Sequence, residues 1–279
     1  MPIARPRDLD SALDGLAGTP SADLLAGGTD AMVEINFDHR RPHHVIALRR
    51  VAELRGHEVH EDHLRFGAML NYTQMEHDLT QLAPGLAMAA RTVGSPQIRN
   101  AGTIGGNLGT ASPAGDTLPW LLAMDATVEL ASVRARRELP LSEFITGPKR
   151  TARQSDELIT AIRVPRIEGP QHVAKIGPRN AMVISVACFA LILDTTNQRV
   201  RAAMGSVGPT PIRVHDAERA VSEAIDWGQL TCPDEAIDDF ARACAGAARP
   251  ITDHRSSAEY RRHSIGVLAG RSLRRCLAA

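Results

Sequence analysis

Two stretches poor in side chains carry the chemistry this sequence offers. Residues 94–125, GSPQIRNAGTIGGNLGTASPAGDTLPWLLAMD, gather glycine, serine and proline into a loop, close it with Asp116 and then open a helix. Gly102, Gly105 and Gly106 remove side chains where a backbone must come close to something bulky. Thr103, Asn107, Thr110 and Ser112 supply hydroxyls and an amide around the same bend. A loop of that composition suits a phosphate-bearing cofactor, because bare backbone N–H groups can point at the anion. Leu24-Leu25-Ala26-Gly27-Gly28-Thr29-Asp30-Ala31 has the same chemistry at the end of a short apolar run. Two such loops, about 75 residues apart, imply one ligand held from two sides.

Other chemistries find little support. No GxGxxG follows a first strand and no Walker A lysine is present, which argues against a Rossmann domain but not against a phosphate ligand. Cys188, Cys232, Cys244 and Cys276 show no CxxC or CxxH pairing, so neither a zinc site nor an iron–sulfur cluster is encoded, and no metal is expected on this chain. Reduced thiols are the expected state. His57, His60 and His63 with Glu61 and Asp62 read as an exposed hairpin turn rather than a metal site. His39, His43 and His44 lie in a charged loop with Arg40 and Arg41. The arginines at 134, 136, 137, 271, 274 and 275 read as solvated faces or partner contacts. A GxSxG elbow is absent, so a hydrolase triad is not expected, and no side chain is singled out as catalytic.

The bulk properties narrow the class further. The 279 residues suffice for one large domain or two smaller ones. Acidic and basic side chains balance at 32 each, unlike a nucleic-acid binder. No run of 18 apolar residues exists, so no membrane span is expected. MPIARPRDLD lacks the apolar core of a signal peptide, which points to the cytoplasm. Only nine residues are aromatic, so a bound flat ring must rest on aliphatic groups or be shared with another chain. Lysine occurs only as Lys149 and Lys175.

Elements must hold the two loops. The pattern predicts a helix over 8–17, a strand over 23–26, a helix over 31–36 capped by Thr29 or Asp30, and a strand over 45–48. A hairpin over 56–60 and 63–68 follows, then helices over 73–79, 84–93 and 117–124. Strands over 126–132, 137–139 and 157–164 lead to a boundary at PRIEGP, 165–170. Beyond it come three strands, over 172–176, 183–193 and 200–207, then helices over 215–225, 233–245 and 256–278. The fold class is α+β. The expected division is a cofactor domain over 1–168, with subdomains of about 1–55 and 56–168, and a C-terminal domain over 169–279 built on a three-stranded antiparallel sheet and helices.

AGGTD at 26–30, TIGGN at 103–107 and ASPAGD at 111–116 resemble the FAD-binding subunit of the molybdenum hydroxylase (xanthine dehydrogenase) family, the medium subunit of enzymes such as carbon monoxide dehydrogenase. DELITAIRVP at 156–165, KIGPRNAMVISVA at 175–187 and DHRSSAEYRRH at 253–263 extend the likeness in the right order over nearly the whole chain. The resemblance implies a vanillyl-alcohol-oxidase-type (PCMH-type) fold whose two subdomains clasp FAD without a covalent bond. It also implies two partner chains, in a dimer of heterotrimers: an iron–sulfur small subunit with two [2Fe–2S] clusters and a large subunit with the molybdopterin cofactor. Electrons then run from molybdenum through the clusters to FAD and on to an acceptor.

Carried over residue by residue, Leu24, Leu25, Ala26, Gly27, Gly28, Thr29, Asp30 and Ala31 would wrap the FAD pyrophosphate, and Thr103, Ile104, Gly105, Gly106 and Asn107 would continue that cradle. Asp116 would hydrogen-bond a polar part of FAD, beyond any role as a helix cap. Val93 and Ile159 would offer backbone or apolar contacts, and Lys175 would reach the flavin side. Many relatives place an Asp shortly after the arginine of the KxxxR segment, whereas here Arg179 precedes Asn180-Ala181-Met182-Val183, which leaves the electron acceptor open. The substrate leans toward a xanthine-like N-heterocycle by general likeness alone. A stand-alone FAD oxidoreductase of the same fold and a cofactor-free assembly scaffold are the competing readings.

Overall fold

The computed structural model describes residues 2–279. The chain opens with a small parallel sheet in which Val45–Ala47 lies between Ile3–Ala4 and Asp23–Leu25. The helix Leu9–Gly18 covers it with Leu9, Ala12, Leu13 and Leu16, the apolar stripe of a 3.6-residue period. Asp8 caps that helix by accepting from the Ser11 amide at 2.8 Å. The first glycine loop thus leaves the carboxyl end of a parallel strand, where open α/β sheets place their ligands.

A five-stranded antiparallel sheet follows, ordered His57–Val59, His63–Gly67, Leu158–Pro165, Thr127–Ala131, Arg136–Pro140. Its middle strand, Leu158–Pro165, bulges between Ile159 and Ala161. Trp120, Phe66, Phe144, Ile104 and Leu108 are fully buried in the core beside it. The helices Tyr72–Asp78, Pro84–Arg91 and Leu118–Ala123 surround that core, the first closed by a reciprocal Asn71–Gln74 capping box.

Gln171–Ile176, Ala187–Asp194, Arg199–Gly205 and Ile212–Arg213 form the last sheet, packed against the helices His215–Ala224, Asp234–Ala247 and Ala258–Leu277. All eight residues of Ala187–Asp194 are buried. Strand alternation splits them. Ala187, Phe189, Leu191 and Leu193 join the C-terminal core, while Cys188, Ala190 and Ile192 join the core of the preceding unit.

Several expectations need correction. The C-terminal sheet has four strands rather than three, because Ile212–Arg213 is two residues long and too short to show an alternating pattern. The strand expected from 183 begins at Ala187. The glycine-serine-proline stretch is not a single open loop, since it folds into two short helices, Pro96–Ala101 capped by Ser95 and Ile104–Thr110 capped by Thr103. Side-chain caps outweigh the poor helix propensity of glycine there. Asp30 stands at the N-cap of Ala31–Asn36 without a side-chain cap bond.

Candidate FAD-binding cleft

Gly27 and Gly28 make the first loop possible for different reasons. Gly28 sits at φ +74°, in the left-handed region. A Cβ on Gly27 would fall 1.8 Å from the Ala101 carbonyl oxygen, so this backbone rests directly on the end of the helix Pro96–Ala101. The two glycine segments therefore touch. Among the described residues, the amides of Gly27, Gly28, Thr29 and Asp30 find no acceptor within the chain. Gly27, Gly28 and Thr29 are half-buried and Asp30 is exposed, so these donors are open to solvent or to a ligand.

The second segment behaves differently. The Ile104 amide donates to the Leu70 carbonyl at 3.0 Å, Gly105 to Ala68 at 2.9 Å, Gly106 to the Thr103 hydroxyl at 3.0 Å and Asn107 to the Thr103 carbonyl at 3.0 Å. Four of its five amides, those of residues 104–107, are spent on the chain itself, contrary to the expectation of bare N–H groups there, while among the described residues the Thr103 amide finds no acceptor within the chain. Its glycines instead allow close packing: a Cβ on Gly105 would lie 2.7 Å from Ala68 Cβ. Asn107 Oδ1 accepts from the Thr117 hydroxyl at 2.6 Å.

Between the segments lies a cleft of about 770 Å³, within the range of cofactor sites. Residues 24–31, Val93, Thr103, Gly105, Gly106, Asn107, Asp116 and Ile159 line it. Ile104 does not, because its side chain is fully buried in the core. Lys175 stands behind the wall, on the strand Gln171–Ile176 and opposite Cys188 in register.

Lys175 Nζ donates to Asp116 Oδ2 at 2.6 Å and to the Thr92 carbonyl at 3.1 Å. The two side chains are only 6% and 9% exposed. Asp116 Oδ1 is buried with no partner. Burial lifts the Asp116 carboxyl to about 6, with the Lys175 charge opposing the rise. Burial also pushes the Tyr72 hydroxyl and the Cys188 thiol upward, with the Asp116 charge adding to both. Asp116 does not cap the helix Leu118–Ala123, whose N-cap is Thr117.

Sequence reasoning missed several wall residues, among them Tyr72, Lys149, Arg153, Met182 and Ile184. Lys149 left one signal, as one of only two lysines and directly after Gly147-Pro148. Met182 and Ile184 are 55% and 53% exposed, and supply the aliphatic surface that the scarcity of aromatics demands. The Arg179 guanidinium turns back onto the carbonyls of Ala181, at 3.1 Å, and Met182, at 2.6 Å. His60 and His63 stack at 4.3 Å, each beside its own carboxylate. No group of three His, Cys, Asp or Glu side chains among the described residues could hold a metal ion.

Residues 1–167 match the model of the FAD binding domain in molybdopterin dehydrogenase, and residues 172–276 that of the CO dehydrogenase flavoprotein C-terminal domain. The chain belongs to the FAD-binding family of molybdopterin dehydrogenases. The xanthine dehydrogenase FAD-binding subunit of Escherichia coli O157:H7 is 34% identical over 99% of this chain and 95% of its own length. The nicotinate dehydrogenase FAD-subunit of Eubacterium barkeri is 35% identical over 79% of this chain and 80% of its own length. Among solved structures, carbon monoxide dehydrogenase from Hydrogenophaga pseudoflava superposes with a TM-score of 0.91 at 27% identity, over 100% of this chain and 97% of that one. The protein is an FAD-carrying, electron-transferring subunit of a molybdenum hydroxylase, and its relatives are subunits of larger complexes.

The residues present fit that cofactor. Four amides without a partner in the chain belong to residues lining the cleft of about 770 Å³, Gly27 leaves no room for a side chain, and the buried Asp116 Oδ1 has no partner.

Proposed function

We propose that the cleft holds FAD by a division of labour. The amides of Gly27 to Asp30 take the pyrophosphate, with Leu24, Leu25, Ala26 and Ala31 framing them. Thr103, Gly105, Gly106 and Asn107 form the opposite wall, with Ile104 as its buried anchor. Asp116 accepts a hydrogen bond from a polar part of the cofactor through Oδ1. Lys175 positions Asp116 from behind, while Val93 and Ile159 give apolar contact. The single observation that carries this reading is the contact of Gly27 with Ala101, which brings a loop of unpaired amides against the second glycine segment.

When bound, FAD accepts and passes on electrons, and the redox chemistry is its own. The chain's part is to bind, orient and insulate it. Residues 1–168 form the cofactor unit of vanillyl-alcohol-oxidase type, with subdomains of about 1–55 and 56–168, and 169–279 forms the C-terminal unit. The partners are an iron–sulfur small subunit with two [2Fe–2S] clusters and a molybdopterin large subunit, in a dimer of heterotrimers located in the cytoplasm. Among the described residues, no helix is long and apolar enough to cross a membrane. A xanthine-like N-heterocycle is the favoured substrate of the complex, supported by the E. coli relative.

The purified chain is expected to show flavin bands near about 370 and 450 nm, released on denaturation because the cofactor is not covalently bound. A colourless chain that stays colourless after incubation with excess FAD would overturn the proposal.

A further inference from the structure

Glu34 and Lys149 stand 115 residues apart and meet at the cleft, with Lys149 Nζ donating to Glu34 Oε1 at 2.6 Å. Both residues line the cleft. Glu34 belongs to the helix Ala31–Asn36, which directly follows the loop of unpaired amides. Lys149 sits at the tip of the two-stranded ribbon Ile145–Gly147 and Arg150–Thr151.

The tip is held in place by its backbone. Lys149 has φ +56°, a conformation that non-glycine residues adopt only where the surroundings impose it. Its amide donates at 3.0 Å to the carbonyl of Ala111, the left-handed residue that ends the second glycine helix. The lysine is thus anchored on one wall while its side chain spans to the other. The helix carrying Glu34 buries no side chain, so apolar packing does little to hold it. Ionic contacts take that place: Lys149 at 2.6 Å and Arg40 at 3.7 Å both meet the Glu34 carboxylate.

We infer that the Lys149–Glu34 pair is a strap across the FAD cleft, which ties the helix after the first glycine loop to the end of the second segment and slows release of the cofactor. This rests on the assignment of the cleft to FAD. The strap works through the pairing itself rather than through a lysine–phosphate contact. The bridge lies at the surface, so its contribution is modest.

The test uses the full chain loaded with FAD and follows the rise in flavin fluorescence as cofactor leaves after dilution. Lys149→Ala, Glu34→Gln and the double variant are each expected to speed release by the same factor, roughly threefold to fivefold. Molar salt is expected to bring the parent chain toward the variants' rate. Flavin absorbance at saturating FAD is expected to stay at the parent's stoichiometry in all three, which separates the strap from the site. Release at the parent's rate in Lys149→Ala would overturn the strap. So would acceleration in Lys149→Ala but not in Glu34→Gln, which would assign the lysine to the cofactor itself. A parent chain that binds no FAD would remove the assignment beneath both.

Discussion

Asp116 is the residue on which the site's electrostatics turn. Its carboxyl is buried, paired on one oxygen and bare on the other. Because its folded-state value rises from 3.8 to about 6, the native state binds the proton more tightly than the unfolded chain does. Its contribution to stability is therefore full below about pH 4 and is lost as pH rises toward 6. Denaturation midpoints measured across that window should show a component of this sign, and Asp116→Asn should lack it. Lys175→Met leaves a buried carboxylate without its counter-charge, at a cost of about 3–5 kcal/mol. The loss should be larger at pH 8 than at pH 5, where Asp116 is protonated and uncharged. Equal losses at both values in urea titrations would place the lysine's contribution in packing instead.

Among the elements, the two glycine segments have different tasks. In the proposed site the first offers donors to the cofactor, and the second gives space and a wall. Gly27→Ala would drive a methyl group into the Ala101 carbonyl and force the segments apart. FAD affinity should fall at least about tenfold, a loss of about 1.4 kcal/mol, in a chain that still folds. Fluorescence titration with FAD reads this directly. Thr103→Ala removes the cap of Ile104–Thr110 and should cost about 1 kcal/mol of stability, read by urea titration. These differences explain what could be read beforehand. The glycines at 27, 28, 105 and 106 announced a backbone that something approaches, and the amphipathic stripe of Leu9, Leu13 and Leu16 announced its helix. Which segment's amides stayed free was hidden, because the acceptors, Ala68 and Leu70, lie over 30 residues away in sequence. Likewise, Ile212–Arg213 becomes a strand only through pairing with Ala203 and Met204. Lys149 reaches the cleft by a tertiary route that composition does not encode.

At the scale of the whole molecule, the strand Ala187–Asp194 makes the two halves depend on each other. Its alternate residues belong to different cores, and Asp125, in the turn after Leu118–Ala123, adds ion pairs to Arg201, at 2.5 Å, and Arg213 of the last sheet. Ile192→Ala and Leu191→Ala, on opposite faces, should each cost about 2–5 kcal/mol. Both should shift one common unfolding transition in calorimetry rather than split it into two. The lysine inventory has a practical corollary. One of the two side-chain amines is shut inside the protein, while the other is 62% exposed at the cleft's edge. An amine-reactive reagent should thus modify a single lysine, Lys149, beside any α-amine, and by removing that charge it should cut the tie to Glu34 and hasten flavin loss.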